Sequence, residues 1–331
     1  MNYIIGIFVW LLIPILGCIV YFLLFIASRI QFLFPSSHNG IKNVKHCMTA
    51  IVSEYGFREE NLDISGVSVH CVIKDAAATT ASDASDVSAD VLIFIHGTAS
   101  SSVIFFDVMK ELPSNQKCVA IDLPNFGISG RINLDKYLTN HELCQCYADI
   151  IGHTLQKLGI IERVFLVAHS LGGFLSVYVA DRFPINKLVL LNPAGILPTL
   201  GEYGYYWGMF FKAGLPSSLF HLPMVSRDLL AYIWRSLAAT TPTTDYWISL
   251  YANPDNDGHR VLQRLITIYP FYSYWNTPAF TTLIDVYKKI PTTICFGVND
   301  TIIPQHIGDF LHRLTRGEII IHKIHNANHN P

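Results

Sequence analysis

The sequence predicts an α/β fold: a mostly parallel sheet with helices on both faces, a helical cap inserted into it and an N-terminal transmembrane helix ahead of it. Three observations lead there. From Val91 onward, short apolar runs alternate with helix-like segments, the rhythm of parallel strands joined by helical crossovers. Between Gly195 and about Lys289 that rhythm stops and aromatic residues crowd in. Ahead of everything, Tyr3 to Ala27 runs without one charged residue.

Taken in order, residues 1–28 form a membrane anchor. A helix over Tyr3–Ala27 reaches roughly 37 Å, against about 30 Å of hydrocarbon. Pro14 and Gly17 are tolerated in lipid. A cleaved signal peptide fits less well, because no Lys or Arg precedes the apolar core and the core is too long. Arg29, Lys42 and Lys45 follow the span and only the α-amino group precedes it. That asymmetry predicts a single-pass protein whose bulk faces the cytoplasm. The seven cysteines are an odd number and form no evident disulfide framework. A net charge of -2, with 15% charged residues, leaves no basic stripe, so no nucleic-acid partner is expected.

Residues 29–53 read as a juxtamembrane linker. The core's first part follows over 54–194. It opens with two alternating strands, near Phe57–Ile64 and Val67–Lys74, around Ser65-Gly66. Residues 75–90 are small and polar and read as a disordered loop. Strands are expected at Val91–Ile95, Cys118–Leu123, Arg163–Ala168 and Lys187–Leu191, with helices near 101–112, 140–158 and 171–182. The cap covers 195–289. Residues 200–285 hold four of the five Trp, which suits an apolar pocket lining as well as the packing of a small helical unit. The core's second part, 290–331, contributes strands at Thr292–Phe296 and Glu318–Ile324 and a helix near 304–314.

Chemistry concentrates at Ser170. Ala168-His169-Ser170-Leu171-Gly172 matches small-x-Ser-x-Gly between a buried strand and a helix. Such a turn exposes the hydroxyl at the carboxyl edge of the sheet, beside the N–H groups and positive dipole end of the helix. A helix N-cap serine is the plainer reading of the same residues. His96-Gly97-Thr98 follows the first strand of the series. N–H groups of Thr98 and Leu171 are the expected oxyanion donors, with His96 holding the loop.

These motifs together resemble the α/β-hydrolase family: the His96-Gly97 loop, Asp122 to Ser129 as D-L-P-x-F-G-x-S, and the Ser170 elbow. The resemblance covers Val91 to the end, interrupted by the cap, and implies the α/β-hydrolase fold. Asn125 stands where the family often has glycine, and Asn tolerates positive φ. The family order of nucleophile, acid and histidine points to Asp300, in Gly297-x-x-Asp300 after a strand, as the acid. Asn192, at the alternative acid position, is no carboxylate. His329, in "NANHNP", resembles the family's histidine loop with Asn328 in place of a glycine of left-handed backbone. His322 and His325 compete for the role but read as sheet residues. The family adds a final helix after this histidine, and only two residues follow it here, so a truncated sequence is expected ahead of a domain with one sheet face partly uncovered.

The resemblance implies a serine hydrolase working through Ser170, His329 and Asp300, with no metal and no organic cofactor. A serine at the elbow, rather than Asp, argues against the epoxide hydrolase and dehalogenase branches. The anchor and the aromatic cap suggest a lipid or lipid-like ester at a bilayer, and the architecture resembles membrane-anchored monoacylglycerol lipases. A small-ester esterase, a C–C bond hydrolase and an acyltransferase share the same three residues. A non-catalytic membrane-tethered scaffold on the same fold is the alternative of another class.

Overall fold

The structure is a computed structural model, and it describes residues 40–77, 90–98, 100–160, 163–194, 278–300, 303 and 305–329. The anchor expected at 1–28 lies outside them, as do most of the expected polar loop and cap. Among the described residues no helix is long and apolar enough to cross a membrane.

Helix α1 (Gly40–Tyr55) leads into β1 (Arg58–Ile64) and β2 (Val67–Lys74). Then come β3 (Asp90–Ile95), a 3-10 turn and α2 (Phe106–Glu111), β4 (Lys117–Ile121), α3 (Asn140–Lys157), β5 (Arg163–His169), α4 (Leu171–Arg182) and β6 (Lys187–Leu191). After the undescribed stretch follow α5 (Pro278–Lys289), β7 (Thr292–Gly297), α6 (His306–Leu314) and β8 (Ile320–Ile324). The eight strands form one sheet in the order β1-β2-β4-β3-β5-β6-β7-β8. The β1–β2 and β2–β4 pairs are antiparallel and the rest parallel.

Strand period explains the two layers. In β3, Val91, Ile93 and Ile95 join the apolar cluster formed with α3, α4 and α5, while Phe94 joins the cluster formed with α1 and α2. In β4, Val119 and Ile121 take the first side, and Cys118 and Ala120 the second. Alternating side chains point to opposite faces, and both faces here are covered, so the strands read as continuous apolar runs. Helix α3 starts at a capping box between Thr139 and Glu142, which satisfies orphan N–H groups in its first turn.

Two expected boundaries change. The linker drawn over 29–53 contains α1, whose Val44, Met48, Ile51 and Val52 are buried against the sheet. Their spacing of three and four residues is the helical stripe that the neighbouring apolar run overshadowed. The segment drawn as cap over 195–289 includes α5, which packs Leu283, Val286 and Tyr287 into the core instead.

Candidate active site

The elbow is built from backbone strain and small residues. Ser170 sits between β5 and α4 with φ 49 and ψ -115, a region that a non-glycine residue occupies only when its surroundings force it. Its N–H donates to Leu191 O at 3.0 Å, and its own carbonyl accepts from Ala194 N–H at 2.9 Å and Gly173 N–H at 3.0 Å. Helix α4 then starts against the end of β3. A Cβ on Gly172 would run into the carbonyl oxygens of Ile95 and His96, so only glycine lets the helix approach. A Cβ on Gly97 would lie 2.9 Å from Ser170 Cβ and from His169 Nδ1. The loop of Thr98 therefore stands directly beside the serine, and Leu171 opens α4 with an N–H that has no acceptor within the helix.

Ser170 stands at the N-cap position of α4, but its side chain makes no cap bond, so its hydroxyl is not spent on the helix. Its Oγ lies 3.0 Å from His329 Nε2, and His329 Nδ1 lies 2.8 Å from Asp300 Oδ2. A carboxylate only accepts, so Nδ1 carries the ring proton and donates to Asp300, and the Ser170 hydroxyl donates to Nε2. Asp300 is buried, and its Oδ1 accepts the Ile303 N–H at 2.9 Å. The three residues singled out from sequence are thus in one hydrogen-bonded line. His322 stands in β8 opposite Cys295, and His325 in the turn beyond, both exposed.

The supporting shell contains what the sequence reading missed. Asn192, set aside there, is buried at the end of β6, and both Asn192 and His169 bond the main chain around His329. His96 does hold its loop: Nδ1–H donates to Gly97 O at 2.7 Å, and Nε2 accepts Leu123 N–H at 3.0 Å. Asn125 takes φ 69, as expected for a glycine-like position. Asn328 does not: the left-handed residue of the histidine loop is Asn326, φ 61. The reason lies at Gly297, where a Cβ would strike the Asn328 carbonyl. The reversal is made earlier in the loop, and the carbonyls of residues 327–328 then lie against the end of β7.

Behind the Thr98 loop, Asp122 is fully buried. Its Oδ1 accepts Ser102 N–H at 2.7 Å, and its Oδ2 accepts Ile128 N–H at 3.1 Å and faces His70 Nδ1 at 3.0 Å. His70 Nε2 meets Glu59 Oε1 at 3.1 Å. Burial alone would push His70 down, but hydrogen bonds and charge from Asp122 and Glu59 outweigh it and lift the pKa to about 9. Burial would raise Asp122, and the His70 cation with the Ser102 N–H brings it to about 2 instead. His70 is therefore a buried cation that ties β2 to this loop. Nothing in its spacing, 52 residues from Asp122, announced the pair.

The alpha/beta hydrolase family model matches residues 92–331, more than half of the chain. The chain belongs to the alpha/beta hydrolase family. Among its hydrolase relatives, it is 31% identical over 107 residues to abhydrolase domain-containing protein abhd-5.2 of Caenorhabditis elegans, covering 31% of this chain and 23% of that protein. It is 25% identical over 142 residues to monoacylglycerol lipase abhd6-A of Xenopus laevis, covering 42% of this chain and 41% of that one. Both matches span less than half of the relatives' length. The crystal structure of a membrane phospholipase A, a bacterial virulence factor, superimposes with a TM-score of 0.65 at 16% identity, over 96% of this chain and 92% of that one. At that identity the likeness speaks for the hydrolase fold alone.

Proposed function

We propose that this hydrolase cleaves carboxylic esters through Ser170, His329 and Asp300. The observation that carries the reading is the continuous line from Ser170 Oγ to His329 Nε2 at 3.0 Å and from His329 Nδ1 to Asp300 at 2.8 Å, with the serine on a strained turn. In acylation Ser170 Oγ attacks the ester carbonyl and its proton passes to His329 Nε2. Asp300 fixes the tautomer and stabilises the imidazolium. N–H groups of Leu171 and Thr98 hold the oxyanion. The intermediate collapses, the C–O bond to the alcohol breaks, and that alcohol takes the proton from His329. A water, deprotonated by the same imidazole, then releases the acid and restores the serine.

The substrate class follows from two features of the sequence. An uncharged run over residues 3–27 holds the chain at a bilayer as a single-pass protein facing the cytoplasm, and four of the five Trp lie in the segment between the two parts of the core. Both favour a lipid-like ester of the monoacylglycerol type, and the match to a monoacylglycerol lipase supports the same class.

A fluorophosphonate probe tests the chemistry: it labels the membrane-bound wild-type chain, and labelling vanishes in Ser170→Ala. Hydrolysis profiled over acyl chain length tests the substrate. Rates rising toward long chains support the lipid reading, and a flat or short-chain profile overturns it. A wild-type chain that takes no label and hydrolyses no ester overturns the whole assignment in favour of a non-catalytic scaffold.

A further inference from the structure

We propose that Asn192 and His169 form a clamp on the main chain of His329, and that these two positioning residues set where its imidazole stands. The inference rests on the reading of Ser170, His329 and Asp300 just given. His329 belongs to a loop beyond β8, a strand whose side chains are mostly exposed. The bonds from its ring to Asp300 and Ser170 leave the backbone beneath it free to shift. Something else must hold that backbone.

Two side chains do so. Asn192 Nδ2 donates to the carbonyls of His329 at 2.8 Å and Asn328 at 3.1 Å. Its Oδ1 accepts the Gly297 N–H at 2.9 Å. The same amide therefore joins the ends of β6 and β7 to the histidine loop. From the last residue of β5, His169 Nε2–H donates to the His329 carbonyl at 2.8 Å. That oxygen now has both lone pairs occupied. The two donors come from the ends of neighbouring parallel strands, β5 and β6, in the interior of the sheet.

The residue types suit the task. Only an amide offers two donors and an acceptor from one short side chain. An aspartate in its place would aim acceptors at two carbonyls. Positive φ, 41 at Asn192, is tolerated by Asn and Asp. His169 is buried beside His329, and that burial above all holds it neutral, its pKa down at about 3. A carbonyl only accepts, so the one ring proton stands on Nε2 as a fixed donor.

Asn192→Asp tests the clamp, because it keeps the shape, the backbone preference and the acceptor for Gly297 while removing both donors. The expected result is a folded protein whose kcat on a p-nitrophenyl ester falls about 10- to 100-fold, with KM within about twofold, since a displaced base harms the chemical step and not binding. His169→Leu falls similarly, and His169→Gln, which restores an N–H near the same point, recovers most of the loss. The pair Asn192→Asp with His169→Leu loses less than the product of the single losses, because both act on one carbonyl. A folded Asn192→Asp with wild-type kcat overturns the clamp, and so do losses that multiply or that move KM as much as kcat. Those outcomes leave the wild-type chain labelled and active. A wild-type chain that is neither overturns the reading of Ser170, His329 and Asp300, and the clamp with it.

Discussion

The orienting role proposed for Asp300 is separable from the fold. The carboxylate holds His329 Nδ1–H at 2.8 Å and the Ile303 N–H at 2.9 Å through different oxygens. Asp300→Asn keeps an oxygen for Ile303 but offers the ring an amide, which favours the wrong tautomer. A fall in kcat of about 10⁴-fold with a nearly unchanged melting temperature is expected, read by ester hydrolysis and thermal denaturation side by side. At this scale Ser170 was legible from a local small-x-Ser-x-Gly turn, and Asp300 and His329 from the family order and loop that their segments resemble. Asn192 and His169 were not, since their partners lie 137 and 160 residues away and an Asn-Pro or Ala-His pair carries no sign of what it will touch.

Between elements, close approach decides. Gly297 ends β7 where the histidine loop crosses it, and a side chain there would strike the Ala327 and Asn328 carbonyls. Gly297→Ala therefore displaces the loop from the strand end. The expected outcome is a loss of about 1–3 kcal/mol in stability, typical of overpacking, together with a kcat loss of at least tenfold. Unfolding midpoints in urea check the first and ester hydrolysis the second. An unchanged kcat would show that the loop yields without moving the imidazole. Helix α1 shows the opposite kind of legibility: its stripe at Val44, Met48, Ile51 and Val52 was present in the sequence and hidden by its position beside a strongly apolar run.

For the molecule as a whole, buried histidines shape stability against pH. His70 titrates near 9 in the fold against 6.5 when exposed, so its contribution is complete below pH 6.5 and is lost as pH rises toward 9. His169 is held neutral down to about 3, so the unfolded chain binds the extra proton and stability falls as pH drops from 6.5 toward 3. Burial lowers His96 too, in the same direction. The two limbs meet, and stability is expected to peak near pH 6.5. Urea midpoints across pH 4–10 measure it. In His70→Gln the alkaline limb flattens while the acid limb stays, and a wild-type curve level from pH 6.5 to 9.5 would contradict the buried cation.

The alternation of apolar runs, read alone, determined the parallel sheet and its helical layers, because a period of two or of 3.6 is a property of the chain itself. The serine was read from its own turn, and the aspartate and histidine from the resemblance to the hydrolase family. Only the tertiary structure decided what holds them there. The amide of Asn192, the imidazole of His169 and the buried His70 cation act on groups brought near by folding, and a hydrogen bond across the sheet has no period that a linear sequence can display.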